Sequence, residues 1–268
     1  MPADDPRLRA IVSAVADAAD HALTLWAGGD TRVQQWEKVP GHPVCEADLA
    51  VDALLRERLA AIDPDAGWLS EETADTVHRL GVSRVWVVDP IDGTRDYLRG
   101  RPGWAVSVAL VEDGAAGIGI LAAPARNELW IAQAGKGATR NGRPLRAGTR
   151  TLLPGARVPA DQLPRIDRDL LAVPKPNSIA LRMAMVAADE ADLVATVRWG
   201  SEWDVAASAL IAQEAGAIVT DALGAPLRFN RPQPTAFGLL CCAPGIHAAA
   251  LDRLVPRARD ILAQNATN

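Results

Sequence analysis

Apolar residues near the start of the chain recur with helical spacing: Leu8, Ile11, Val12, Val15, Ala18, Ala19, Ala22, Leu25 and Trp26. Gly28-Gly29 is a natural stop for that helix. A second helix is expected from about Ala47, with Leu54, Leu55, Leu59 and Ile62 inward and Asp63-Pro64 as its end. The segment between them, DTRVQQWEKVPGHPV, has no clear period and holds Pro40, Gly41 and Pro43, so it reads as a loop.

Beyond residue 80 the period changes. RVWVV, WAVSVALV, GIGILAA and ELWIAQ are strand-like runs separated by short turns with Gly or Pro, a spacing that predicts antiparallel neighbours. AGKGATRNG contains GxG but has neither strand-to-helix context nor a full dinucleotide fingerprint, so a hairpin turn is the better reading. After Arg150 the Pro-rich LLPGARVPADQLPR marks a boundary, dividing the chain into residues 1–150 and 151–268. Strand-like LLAVP, helix-like SIALRMAMVAA, strand-like DLVATV, helix-like WDVAASALIAQEAG and strand-like AIVT then alternate, an α/β texture. A strand at TAFGLLCCA and a helix from about Ile246 close the chain.

Composition adds bounds. The 268 residues are 49% hydrophobic and 23% charged, enough for a sizeable core and ordinary for a globular protein. A net charge of −5 argues against a general nucleic-acid polymer as partner. Eight Trp stand against two Phe and one Tyr. Core packing is the favoured reading for them, with stacking on a base by Trp104 or Trp199 as the alternative. The three cysteines, Cys45 and the adjacent Cys241 and Cys242, make a poor disulfide framework and suit a reducing compartment. The pair lies in an apolar run and reads as two small hydrophobes. MPADDPRLRA carries acids and no long apolar stretch, which predicts neither a signal peptide nor a membrane anchor and gives cytoplasm as the expected location.

Candidate chemistry lies in carboxylates. Glu71 and Glu72 follow Ser70, Asp89 and Asp92 end the apolar run of β character, and Asp204 opens an apolar helix. Singly, each has a plain structural account: a solvated turn for Glu71 and Glu72, and helix caps for Asp92 and Asp204. DPIDGT resists that account, because a buried strand seldom ends in carboxylates unless their charge is stabilised. With Pro90 fixing the turn, Asp89 and Asp92 can converge, and the Ile91 carbonyl offers a third oxygen. Such an all-oxygen set suits Mg²⁺. Gly93 lets backbone approach a ligand, and the N–H groups of Gly93 and Thr94 would point at an anion. Acidic metal ligands beside an anion hole suggest phosphate chemistry. A calcium loop fails, since Val88, Pro90 and Arg99 would fill its first, third and twelfth positions. Zinc fails on four scattered histidines, and no GxSxG elbow is present.

WVVDPIDGTRDYLRG resembles the W-x-x-D-P-[IL]-D-G-T-x-x-[FY] signature of the inositol monophosphatase superfamily. SEWDVAASALIAQEAGAIVTDALGAPL is similar to its second signature, LSEE to its acidic pair, CEADLAVDALLRERL to its TEAD-type helix start and GKGATRNGRPL to its hairpin. The matches run in family order across nearly the whole chain. RGRPGWAVSVAL resembles bacterial 3′(2′),5′-bisphosphate nucleotidases in particular. The resemblance implies a layered α/β/α/β/α sandwich of the inositol monophosphatase and fructose-1,6-bisphosphatase type. An α+β metal-binding half, 1–150, would meet an α/β half, 151–268, that completes the active site.

By the same resemblance, Glu71, Asp89, Asp92 and Asp204 are metal carboxylates, Ile91 gives its carbonyl, and two or three Mg²⁺ bind. Asp48 would sit behind them near Thr94, with Lys38 as a loop partner, and such proteins are often lithium-sensitive dimers. Cys45 departs from the usual Thr before Glu46, which would loosen the hydrogen bonding around Asp48; Ser208 replaces a frequent Gly without consequence. The implied reaction is phosphomonoester hydrolysis by a metal-activated water oriented by Glu71 and Thr94, with Gly93 and Thr94 receiving the phosphate. Substrate contacts are expected from Arg99, Arg101, Ser178, Arg198 and Glu202, the arginines holding a second phosphate. The leading expected substrate is 3′-phosphoadenosine 5′-phosphate, then inositol 1-phosphate, then histidinol phosphate or a sugar phosphate. A catalytically silent metal-binding regulatory paralogue is the non-enzyme alternative.

Overall fold

The apolar runs between residues 84 and 133 pair as antiparallel neighbours, and they form the middle of a larger sheet. The computed structural model describes residues 5–26, 34–39 and 42–266. In chain order the elements of the first part are α1 (Pro6–Leu25), β1 (Gln35–Val39), β2 (His42–Cys45), α2 (Glu46–Ile62), β3 (Gly67–Ser70), β4 (Arg84–Asp92), α3 (Thr94–Leu98), β5 (Ala105–Glu112), β6 (Ala115–Ala123), β7 (Glu128–Gln133), β8 (Gly137–Arg140) and β9 (Arg143–Pro144). Then come β10 (Arg157–Pro159), β11 (Leu171–Val173), α4 (Ile179–Ala187), β12 (Leu193–Ser201), α5 (Glu202–Glu214), β13 (Ile218–Thr220), β14 (Thr235–Cys242) and α6 (His247–Ala266).

Five layers result. The seven-stranded sheet runs in the order β3-β4-β5-β6-β7-β8-β9, parallel only between β3 and β4. Side chains alternate across it as a pleated strand requires. Trp86, Val88, Val108 and Leu110 pack with α1 and α2, whereas Val85, Val87 and Ala109 pack with α4 and α5. The same α4 and α5 cover the three-stranded sheet β12-β14-β13, through Val194, Val219, Leu239 and Cys241. Leu193, Leu240 and Cys242 face the other way, onto Ala250, Leu254 and Ala258 of α6. The order is therefore helix, sheet, helix, sheet, helix, as the resemblance implies.

Three local features differ from the sequence reading. The segment read as a loop contains the antiparallel hairpin β1–β2, with Gln35 opposite Cys45 and Trp36 opposite Val44. Trp36, Val39 and Val44 are too few apolar positions to show a period of two. Residues 27–33 and the Lys38 side chain lie outside the described residues. Next, in the α/β alternation after residue 170, β11 pairs in parallel with β10, whereas β12, β14 and β13 pair antiparallel with the last strand, β14, in the middle. Finally, core packing holds for Trp86, Trp104 and Trp130, while Trp199 is 56% exposed.

Cys241 and Cys242 follow one another on β14, so they face two different cores and form no disulfide. Glycine matters where α5 lies on the large sheet. A Cβ on Gly119 of β6 would stand 2.6 Å from the Ala207 carbonyl oxygen and 3.1 Å from its Cα, both on helix backbone that cannot yield locally. Gly119→Val is therefore expected to cost about 1–3 kcal/mol through overpacking. Urea unfolding reads it as a lower midpoint at unchanged slope; a wild-type midpoint would mean that α5 does not seat there.

Candidate metal centre

The site forms where β4 ends. Its apolar residues are enclosed on both faces, and Asp89, the first polar residue of the run, is 2% exposed. Beyond it the ladder to β5 is interrupted between Asp89 and Asp92, as Pro90 demands, since it has no N–H to give. The Ile91 N–H turns back to Asp89 Oδ1 at 3.1 Å. The freed Ile91 carbonyl accepts the Thr94 hydroxyl at 3.1 Å.

Glu71 arrives from β3, the parallel neighbour, with its N–H on the Val88 carbonyl at 3.2 Å. Asp204 comes from the first turn of α5 and accepts the Ser201 N–H at 3.0 Å, so the helix start holds its carboxylate in place. One oxygen each from Glu71, Asp89 and Asp204 lie within 4.8 Å of one another. These three come from separate stretches of the chain, and the structure brings them together.

Asp92, the fourth expected ligand, is not one of that trio, though its charge acts on both Asp89 and Asp204. Its Oδ2 accepts the Ser178 hydroxyl at 2.5 Å and the Ala180 N–H at 2.8 Å, and its Oδ1 accepts the Ile179 N–H at 3.3 Å. Asp92 is thus a cap, as one plain reading had it, but on α4 rather than on the helix next to it. Ser178, expected to touch substrate, is fully buried and completes this joint by accepting the Leu181 N–H at 2.9 Å.

Gly93 shows why the joint is tight. It has φ +96°, and an added Cβ would lie 2.7 Å from the Gly103 carbonyl oxygen and 2.9 Å from the Ser178 nitrogen. Only glycine fits there.

Asp48 accepts the Cys45 N–H at 2.8 Å and the Cys45 thiol at 3.0 Å. The thiol therefore serves as the donor that the usual Thr hydroxyl would be, and the expected loosening does not occur. Burial foremost, and then the Asp48 charge, push the thiol up to about 12, which keeps it protonated.

Glu202 is held inside the protein. Its carboxylate is 1% exposed and accepts the backbone N–H groups of Asn230 at 2.6 Å and Arg231 at 3.0 Å. It fastens a loop; burial raises it to about 7 against the pull of those amides. Arg99 and Arg101 are exposed and do not line the cavity beside Asp204, whereas Arg198 does.

Sequence reasoning passed over Asp52, which accepts the hydroxyls of Ser70 and Thr73 on either side of Glu71. The signal was available, since Asp52 lies four residues after Asp48 and so shares its helix face. Arg182 was also missed; it lines the same cavity as Asp204.

Electrostatically the trio is strained. Desolvation, then the charges of Glu71, Asp92 and Asp204, hold Asp89 far above the usual carboxylate range. Desolvation and then the Asp92 charge lift Asp204 to about 8. Burial lifts Asp92 to about 6 despite its hydrogen bonds to Ser178 and Ala180. Among the described residues no Lys or Arg forms a salt bridge with Asp89 or Asp204. An all-oxygen donor set that gathers several negative charges fits a hard divalent ion.

The family model described as "Inositol monophosphatase family" matches residues 4–263. A histidinol-phosphatase of Chlorobaculum parvum is 35% identical over 217 residues, 75% of this chain and 81% of its own. An inositol-1-monophosphatase of Rhizobium meliloti is 32% identical over 240 residues, 82% of this chain and 85% of its own. Among solved structures, Thermotoga maritima IMPase has a TM-score of 0.82 at 26% identity, covering 96% of this chain and 100% of that one.

Raised carboxylates make metal-free stability depend on pH in a definite direction. The folded state holds these protons more tightly than the unfolded chain, so their contribution is complete below about pH 4 and is lost as pH rises through 6 and 8. Metal-free protein should therefore lose Tm between pH 5 and 8, and a divalent ion should raise Tm more at pH 8 than at pH 5. Asp204→Asn should flatten both trends. Equal shifts at the two pH values would mean that the trio does not take the ion.

Proposed function

Because the chain belongs to the inositol monophosphatase family, we propose that its carboxylate trio is the catalytic centre of a Mg²⁺-dependent phosphatase acting on a small phosphorylated metabolite. The chain is a phosphoric monoester hydrolase, like relatives named for histidinol phosphate and inositol 1-phosphate. What carries the metal reading is the convergence of Glu71, Asp89 and Asp204 within 4.8 Å on a cavity lined by Asp204.

Those three carboxylates and the Ile91 carbonyl would hold two or three Mg²⁺, with Asp92 beside them. When bound, Mg²⁺ neutralises the carboxylates, lowers the pKa of a water and offsets the charge that spreads over the phosphoryl oxygens. The chain's own part is positioning and proton handling. The Thr94 hydroxyl, fixed by donation to the Ile91 carbonyl, accepts from the attacking water, and the Glu71 carboxylate takes the proton that water gives up. The backbone N–H groups of Gly93 and Thr94 receive the phosphate. Asp48 acts behind them, its own oxygen held by Cys45. Residues 1–150 supply Glu71, Asp89 and Asp92, and residues 151–268 supply Asp204.

For the alcohol part we favour a 3′(2′),5′-bisphosphate nucleotide, 3′-phosphoadenosine 5′-phosphate first. Trp199 and Arg198 stand side by side on the cavity wall, an exposed aromatic face for a base and a guanidinium for a second phosphate. The names of the two curated relatives favour inositol 1-phosphate and histidinol phosphate as the second reading. A homodimer, lithium sensitivity and a cytoplasmic location belong to the same proposal; among the described residues no helix is long and apolar enough to cross a membrane.

Phosphate release from the three substrates, with and without Mg²⁺ and lithium, tests the reading. Mg²⁺-dependent release from any of them supports the phosphatase, and the order of rates ranks the substrates. Mg²⁺ binding with no release from a broad panel would favour a silent regulatory paralogue instead. Asp204→Asn should lower kcat/KM by more than about 100-fold, the several kcal/mol that a metal contributes, with the circular dichroism spectrum unchanged. Near-normal turnover in that folded variant would overturn the metal assignment.

A further inference from the structure

The cavity beside Asp204 holds about 700 Å³, within the roughly 300–1,000 Å³ typical of small-molecule sites. Its charges are unevenly paired. Five cationic side chains line it, Lys175, Arg182, Arg198, Arg253 and Arg257. Three already have carboxylates: Lys175 meets Asp161 at 2.7 Å, Arg253 meets Asp169 at 2.7 Å and Arg257 meets Asp167 at 3.3 Å. Arg182 and Arg198 have none within salt-bridge distance among the described residues.

The two differ in how they are held. Arg182 gives its Nε–H to the Pro176 carbonyl at 2.9 Å and an Nη2–H to the Asn177 carbonyl, which fixes its plane and leaves Nη1 without a partner among the described residues. Asp92, Asp161 and Asp96 act on it only from beyond contact, and burial makes its charge harder to keep. The Arg198 guanidinium makes no hydrogen bond among the described residues; only its backbone N–H is engaged, by the Thr196 hydroxyl at 3.2 Å. A guanidinium presents a planar fork that matches a carboxylate or phosphate, and leaving the half-buried Arg182 without an anion is unfavourable. The rest of the wall is largely apolar, with Leu163, Leu170, Leu193 and Trp199 among its residues. It offers little to a ring of hydroxyl groups.

We propose that Arg182 and Arg198 form an anion subsite that selects phosphate monoesters whose alcohol part joins an apolar or aromatic body to a second negative group, a carboxylate or a phosphate. This rests on the phosphatase reading and deepens it: the alcohol part is chosen by charge. A bisphosphate nucleotide falls in the favoured class. Inositol 1-phosphate lacks the second anion, and the amine of histidinol phosphate has the wrong sign.

The test uses three aryl phosphates of similar shape: 4-carboxyphenyl phosphate, phenyl phosphate and 4-(aminomethyl)phenyl phosphate. With Mg²⁺, kcat/KM for the carboxylate should exceed that for the amine by about tenfold or more, as expected for a hydrogen-bonded charge. Added salt should narrow the gap. In Arg182→Met/Arg198→Met the ratio should fall toward one, whereas Arg182→Lys/Arg198→Lys should retain most of it. Comparing each variant with wild type cancels differences in leaving-group ability. Should the double variant fail to fold, Arg198→Met alone, at an exposed position of β12, should still lower the ratio. Turnover of phenyl phosphate with no charge preference, or with one the variants leave intact, overturns the subsite and spares the phosphatase. Release from none of the three aryl phosphates overturns the subsite, while the phosphatase reading stands or falls on release from the three metabolites.

Discussion

Three carboxylates that must share a space less than 5 Å across, one of them enclosed by protein, set the terms for the rest of this molecule. Like charges at that distance repel, and desolvation adds to the cost. The surroundings hold the carboxylates in place. β3 runs parallel to β4 so that Glu71 arrives beside Asp89, and the first turn of α5 fixes Asp204 through the Ser201 N–H. Asp52 grips Ser70 and Thr73 around Glu71. A rigid frame that gathers like charges is a poor way to gain stability and a good way to hold a cation.

Asp92 has the complementary task. Its contacts to Ser178, Ile179 and Ala180 fasten the end of β4 to the start of α4, a helix that packs against both sheets. The close approach of Gly93 to Gly103 and Ser178 makes the same joint from backbone alone. The large sheet, the middle helices and the site thus meet at a few residues, and the cavity opens beside them along β12.

Much of this was legible in the sequence, and where it failed has a pattern. Local signals carried well. The strand runs of β4 to β7, the hairpin at GKG and the helix limits near Ala47 and Asp63 all depend on neighbours in the chain. DPIDGT was informative because a strand ending in two acids contradicts its own burial. Side chains whose partners lie far away were misread. Ser178 reaches back 86 residues to Asp92, and Glu202 reaches 28 forward to Asn230, so neither pairing leaves a trace in spacing. The β1–β2 hairpin was missed because its strands are short and largely polar. Arg182 looked like one more residue in an apolar helix until the cavity placed it.

The two cysteines on β14 have a consequence for handling and for watching the protein move. Cys241 and Cys242 face the cores on opposite sides of their sheet, and Cys45 is shut beneath the edge of the site. A thiol reagent finds none of them in the native state, so each labelling event records an opening of the layer that hides it. The middle layer, the α6 layer and the rim of the carboxylate centre each carry their own clock, written into the chain without any engineered probe.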